Sequence, residues 1–185
     1  VYDVGQQLAE VDLEILQHFD CDVMPLHHSL GQRPAEWRDW MLPDGSPAQM
    51  PAHMYPVRYG NEWVLRNAAG QVWARMPEGC LYFEGVLHPL AEERTIAAID
   101  NHDWHIYSDD ELRRAQDKAK YLFENTDYAI MAGFGGNILE IGQGLRGWEN
   151  FMLDLAMNDD YTQHLLGKMV ETHLKNLALF LDALK

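Results

Sequence analysis

Apolar positions along this chain change period several times, and each change marks an element. Leu8, Val11, Ile15, Leu16 and Phe19 recur at helical spacing, which predicts an amphipathic helix over about Leu8 to His18. DVMPL, Asp22 to Leu26, is a short apolar run that predicts a buried strand, with His27, His28 and Ser29 standing at its C-terminal end. Between Gly31 and Gly60 five prolines break every period, so a long irregular loop is expected, with one helical turn at PAEWRDW. NEWVLRNAAGQVWARM alternates on both sides of Asn67 to Gly70 and predicts a β-hairpin, and CLYFEGVLHPL supplies a third strand-like run. AEERTIAAID reads as helix, and Ser108 with Glu111 forms a capping-box pattern at the head of a longer one. A second buried strand is expected over Asp127 to Ala132. Helical spacing then resumes from Ile138 through Leu155, and a last helix is expected over Tyr161 to Leu184, with Leu165, Leu166, Met169, Val170, Leu174, Leu177 and Leu181 as its apolar positions.

Helix, strand, insertion, helix, strand, helix, helix is the order of an α/β protein with a parallel sheet, since short apolar strands are separated by helices. Two parallel strands cannot cover the apolar faces of these helices. The expectation is that residues before Val1 or after Lys185, or a second copy of the chain as a homodimer, complete the sheet.

Composition narrows the partners. The 185 residues carry a formal charge of −15 with 47% apolar residues, a globular rather than disordered balance. That acidity disfavours nucleic acid and anionic membrane surfaces, and a small neutral or cationic ligand suits it better. Cys21 and Cys80 form no C-x-x-C pair, so neither a disulfide framework nor a thiolate cluster is expected, and a reducing cytoplasm fits. No apolar run reaches bilayer length, and the start, VYDVGQQ, is neither a signal peptide nor an initiator methionine, so the chain is expected to be a fragment.

Gly142, Gly144 and Gly147 match the G-x-G-x-x-G spacing of dinucleotide loops. In such a loop the first glycine turns directly after a strand, whereas Gly142 follows NILEI, where a helix has already begun. Close helix packing is therefore the expected role of these three. The candidate turn lies earlier, at Gly133, Gly135, Gly136 and Asn137, where bare backbone after a strand can approach a ligand. His102 and His105 stand three apart in NHDWH, without a third ligand nearby, and are expected to be solvated linker residues. Arg146 and Glu149 have ion-pair spacing. The carboxylates of EVDLE and SDDE suit solvated helix starts. Trp63 and Trp73 flank the expected hairpin, to cover it or line a mouth.

TDYAIMAGFGGNILEIGQGLRGWENFMLDLAMNDD, Thr126 to Asp160, resembles the central segment of the uroporphyrinogen decarboxylase superfamily, in which a strand and glycine turn lead into an L-R-G-x-E-x-F-x-x-D-L helix. YDVGQQLAEVDLEILQHFDCDVMPL and NEWVLRNAAGQVW with YFEGVLHPLAE are similar to upstream parts of its methyltransferase-like branch. The resemblance implies a (β/α)8 TIM barrel with its active site at the strand C-termini. Residues 1–185 would form one partial barrel domain with a hairpin insertion at about 58–90, the remainder lying outside the chain. It further implies substrate contacts at His27, His28, Phe134, Gly135, Gly136 and Asn137, with no metal ligand in these residues.

Family decarboxylases carry an arginine-rich N-terminal motif, a strand-end aspartate and a tyrosine after the glycine turn. Here the arginine-rich motif is absent, VMPLHHS has no carboxylate, and Ile141 is the nearest match to the tyrosine. The resemblance therefore points to methyl transfer involving a corrinoid (cobalamin) or thiol carrier, with a small-molecule methyl donor, a corrinoid protein as partner, and zinc ligands beyond Lys185. This fragment alone would be inactive. Uroporphyrinogen decarboxylation without a cofactor, and a non-catalytic domain of the same fold that binds a tetrapyrrole or a partner, are the alternatives.

Overall fold

The computed structural model describes residues 4–26 and 37–185, so His27 and His28 lie outside the described residues. The chain is mixed α/β, and among the described residues its sheets are a parallel pair, an antiparallel pair and a four-stranded antiparallel sheet, with no closed barrel. No described helix is long and apolar enough to cross a membrane. Two compact units form, one from residues through Leu87 with Asp117–Gly133, the other from His88–Gln116 with Phe134–Lys185.

In the first unit, α1 (Leu13–His18) is shorter than the apolar spacing predicts. Gln7 takes a positive φ of 58° and the Gly5 carbonyl accepts from the Phe83 amide, so the chain before Asp12 is committed to a non-helical path. The expected parallel pairing is present: β1 (Val23–Leu26) runs beside β8 (Ala129–Ala132), Val23 opposite Ala129 and Leu26 opposite Ala132. The strands are less buried than their composition suggests, because only Leu26 is fully covered and Met131 is 63% exposed.

The proline-rich stretch is not one long loop. β2 (Trp37–Met41) and β3 (Pro47–Pro51) form an antiparallel hairpin where a helical turn and irregular chain are expected. Proline is tolerated because Pro47 and Pro51 occupy the two ends of a strand in a two-stranded sheet, where an absent N–H breaks no central ladder. Gly45, at φ 87°, makes the turn between them, assisted by the Asp44 carboxylate accepting from the Ser46 amide at 2.9 Å.

The expected hairpin insertion is a four-stranded sheet of β4 (Val57–Tyr59), β5 (Glu62–Arg66), β6 (Val72–Pro77) and β7 (Glu84–Gly85). The third strand-like run thus shrinks to the two residues of β7. Asn67 shapes the β5–β6 turn by accepting through Oδ1 from the amides of Ala69 and Gln71. Val64, Leu65 and Met76 are fully buried, each contributing about 1.5–3 kcal/mol of transfer free energy. Val4, Trp40, Met50, Leu65 and Ala74 make the core, and Trp63 and Trp73 pack against it rather than line a mouth.

The second unit is helical: α2 (Ile96–Asn101), the first half of α3 (Asp109–Asn125), α4 (Ile138–Arg146), α5 (Trp148–Met157) and α6 (Asp160–Ala183). The expected capping box is formed, with the Ser108 amide donating to Glu111 Oε2 at 2.8 Å and the Glu111 amide donating to Ser108 Oγ at 3.3 Å. The helix expected from Ala91 starts only at Ile96, where Thr95 Oγ1 accepts from the Ala98 amide.

Of the three glycines with fingerprint-like spacing, only Gly142 has the close-packing role expected of all of them, and nothing in the structure requires glycine at 144. A Cβ at Gly142 would lie 2.1 Å from the buried Phe151 ring, so only glycine allows α4 and α5 to approach this closely. Gly144 offers its carbonyl to His88 Nδ1 at 2.9 Å. Gly147, at φ 81°, separates α4 from α5, correcting the expectation of one continuous helix.

Arg146 does not pair with Glu149. It is 3% exposed, donates from Nε to Asp154 Oδ2 at 2.7 Å, and reaches the Leu90 and Ala91 carbonyls. Arg94 donates to the other Asp154 oxygen at 2.8 Å and to Asp159, the N-cap of α6, at 2.9 Å. Both guanidiniums also lie over the Tyr161 ring. One buried carboxylate thereby joins α4, α5 and the segment before α2.

Candidate functional site

A cleft of about 280 Å³ lies within the second unit. One wall is the segment from His102 to Tyr107, which follows α2. A second is Phe134, Gly135 and Gly136, and the rest comes from Ile141 and Leu145 of α4 and from Met169, Thr172, His173 and Asn176 of α6. The interval between α2 and α3 is held by side chains rather than by regular structure. Asn176, almost fully buried on α6, accepts from the Tyr107 amide at 3.1 Å and donates to the His105 carbonyl at 3.0 Å. Trp104 Nε1 donates to the Ile99 carbonyl at 2.8 Å, closing the end of α2. Tyr107 Oη donates to the Phe134 carbonyl at 2.6 Å and so ties the glycine turn to the same wall. Each such bond contributes about 1 kcal/mol net, but an unpaired buried partner would cost more.

Gly135 and Gly136 take φ values of 91° and 93°, which side-chain-bearing residues rarely adopt, and a Cβ on Gly136 would come within 2.9 Å of the Phe134 ring. The bare turn is thus a requirement of the local path as well as a way of presenting backbone to the cleft.

The one carboxylate in the wall is that of Asp103. Burial pushes the His102 imidazole below its ordinary pKa against the opposing pull of Asp103, and burial alone does the same to His173. Burial raises the Tyr107 phenol, aided by the nearby Glu111 charge. Burial also pulls Glu111 upward, but the Ser108 hydrogen bonds and the neighbouring His105 and Arg114 outweigh it, leaving the carboxyl below its usual range. His105 Nε2 lies 3.3 Å from Glu111. No lysine or arginine contributes to the wall. His173 Nε2 is closed to water and has no partner, a state costing about 1–3 kcal/mol for a buried polar atom.

Of the residues that the resemblance singles out, Phe134, Gly135 and Gly136 are in the wall. Asn137 is not: it precedes α4 as an exposed N-cap residue without a side-chain capping bond. His102, half-buried in the cleft wall, is not a solvated linker, because Asn176 and Trp104 fold its segment against α6 and α2, whereas His105 borders the cleft with its side chain 64% exposed, as expected of a solvated residue. His173 and Asn176 escaped the sequence reading altogether. Their signal was present, since the buried face of α6 runs Leu165, Met169, Thr172, Asn176 and Phe180, with Leu174 and Leu181 exposed. Counting only aliphatic positions rotates that face away from its polar members.

Comparison with models of known protein families, with curated proteins and with solved structures finds no match for this chain. Among the described residues no three His, Cys, Asp or Glu side chains come together as a metal-ligand set.

Proposed function

We propose that the chain is part of a uroporphyrinogen-decarboxylase-like (β/α)8 enzyme that transfers a methyl group to or from a corrinoid or thiol carrier. In this reading β1 and β8 are two strands of the barrel, and the cleft beside the Phe134–Gly136 turn receives the small methyl donor. The observation that carries the choice of reaction is the cleft wall: Ile141, the residue nearest to the decarboxylase tyrosine, lines it, and no cationic side chain does. A polycarboxylate tetrapyrrole would leave its charges unpaired against such a wall, whereas a small uncharged donor would not.

The reading implies zinc, with its ligands beyond Lys185, and a corrinoid. On this reading both are held elsewhere in the protein, and no step is assigned to them. The residues here have more limited tasks. Tyr107 and Asn176 hold the wall, Trp104, Phe134 and Met169 give it an apolar surface, and burial disfavours the charged form of the His102 and His173 imidazoles.

The test is to supply the complete gene product with methylcobalamin and a thiol, and separately with uroporphyrinogen. Methylated thiol without carbon dioxide release from the tetrapyrrole is the expected result. Carbon dioxide release with no methyl transfer would replace this reading by decarboxylation.

A further inference from the structure

We infer that the cleft binds a small uncharged aromatic alcohol, of which phenol is the simplest, its ring among Trp104, Tyr107 and Phe134 and its hydroxyl on the His173 imidazole. This names the ligand class of the cleft on which the methyl-transfer reading rests, but its test needs no turnover, so failure of one is distinguishable from failure of the other.

Size, wall chemistry and an unmet hydrogen bond lead to this class. About 280 Å³ is nearly twice the roughly 150 Å³ of a cavity that holds benzene, so one six-membered ring with a polar substituent enters with space to spare. Three aromatic residues and the Met169 thioether contribute to the wall, surfaces that favour the face or edge of a ring. An anion would meet Asp103 and no lysine or arginine, so a carboxylate of the same size would enter without compensation. The remaining requirement is set by His173, whose Nε2 has no partner and no access to water. Rotation of the ring about Cβ–Cγ toward a ligand would relieve that condition. A hydroxyl both donates and accepts, so it satisfies the imidazole in either neutral tautomer.

The experiment titrates phenol and benzoate separately into the full chain carrying ¹⁵N-labelled histidine, following the imidazole resonances and tryptophan fluorescence. Saturable phenol binding that moves the His173 resonances is expected, with benzoate at least about tenfold weaker for want of a countercharge. His173→Phe should lower phenol affinity about tenfold, one neutral hydrogen bond, with the helical circular dichroism unchanged. Benzoate binding as tightly as phenol, non-saturable phenol binding, or saturation that leaves the His173 resonances in place would each overturn the inference. Should His173→Phe fail to fold, the wild-type titrations decide by themselves.

Discussion

The strand-rich unit and the helical unit treat buried polar groups in opposite ways. In the first, the core is Val4, Trp40, Met50, Leu65 and Ala74, and side-chain pairs such as Gln49 with Asp39 or Asn67 with Gln71 lie on the exposed face. In the second are all the polar residues found buried among the described residues: Arg146, Asp154, Thr162, Thr172 and Asn176. Apolar packing is non-directional and suffices to hold hairpins whose backbone bonds are already made. The helical unit must also fix an irregular wall, from His102 to Tyr107, and hydrogen bonds with defined partners do that. The difference points to one place to look for function: the unit with the buried polar side chains contains a cleft.

Substitutions can break this contrast. The largest effect is expected for Asp154→Ala, which leaves the buried Arg146 guanidinium without its carboxylate and should cost about 3–5 kcal/mol in urea denaturation. Met50→Ala removes only packing from the other core and should cost about 2–5 kcal/mol, with no change in ligand binding to the cleft. Gly142→Ala forces the Phe151 ring to move and should cost about 1–3 kcal/mol despite alanine's better helix propensity. Gly144→Ala, two residues on with nothing within 4 Å of the added carbon, should instead stabilise by up to about 1 kcal/mol. Equal effects at these two glycines, read by thermal denaturation, would contradict the packing account.

The smallest effect is in pH. His102 and His173 have folded pKa values below the ordinary 6.5, so the unfolded chain takes up protons first and stability falls as pH drops through that value. Asp159 acts in the same direction at lower pH: the Arg94 hydrogen bond and the Thr162 amide hold its carboxyl far below its usual range, and its contribution disappears as the unfolded carboxylate is protonated. A melting temperature that falls in two stages on acidification is expected. His173→Gln should reduce the first stage alone.

Local patterns made much of the fold legible. The capping box at Ser108, the β5–β6 alternation and the two parallel strands all rest on short-range chemistry, and all are present. Proline misled, because Pro47 and Pro51 were read as breaks although a strand of a two-stranded sheet accepts them at its ends. One wall of the cleft, Phe134 to Gly136, was legible through the glycine turn. The rest was not, since His102, His173 and Asn176 acquire meaning only when α6 meets the segment after α2, a contact spanning about 70 residues of chain. Arg146 was assigned a neighbour three residues away, whereas its partner is eight away, across the Gly147 break.

The central claim is that the helical unit carries the ligand site. Hydrogen–deuterium exchange with and without saturating phenol tests it most directly, because it reads both units in one experiment. Slowed exchange confined to amides of residues 102–107, 134–136 and the adjoining turns of α6 is the predicted result. Slowed exchange in β2 through β7, with none around the cleft, would contradict it.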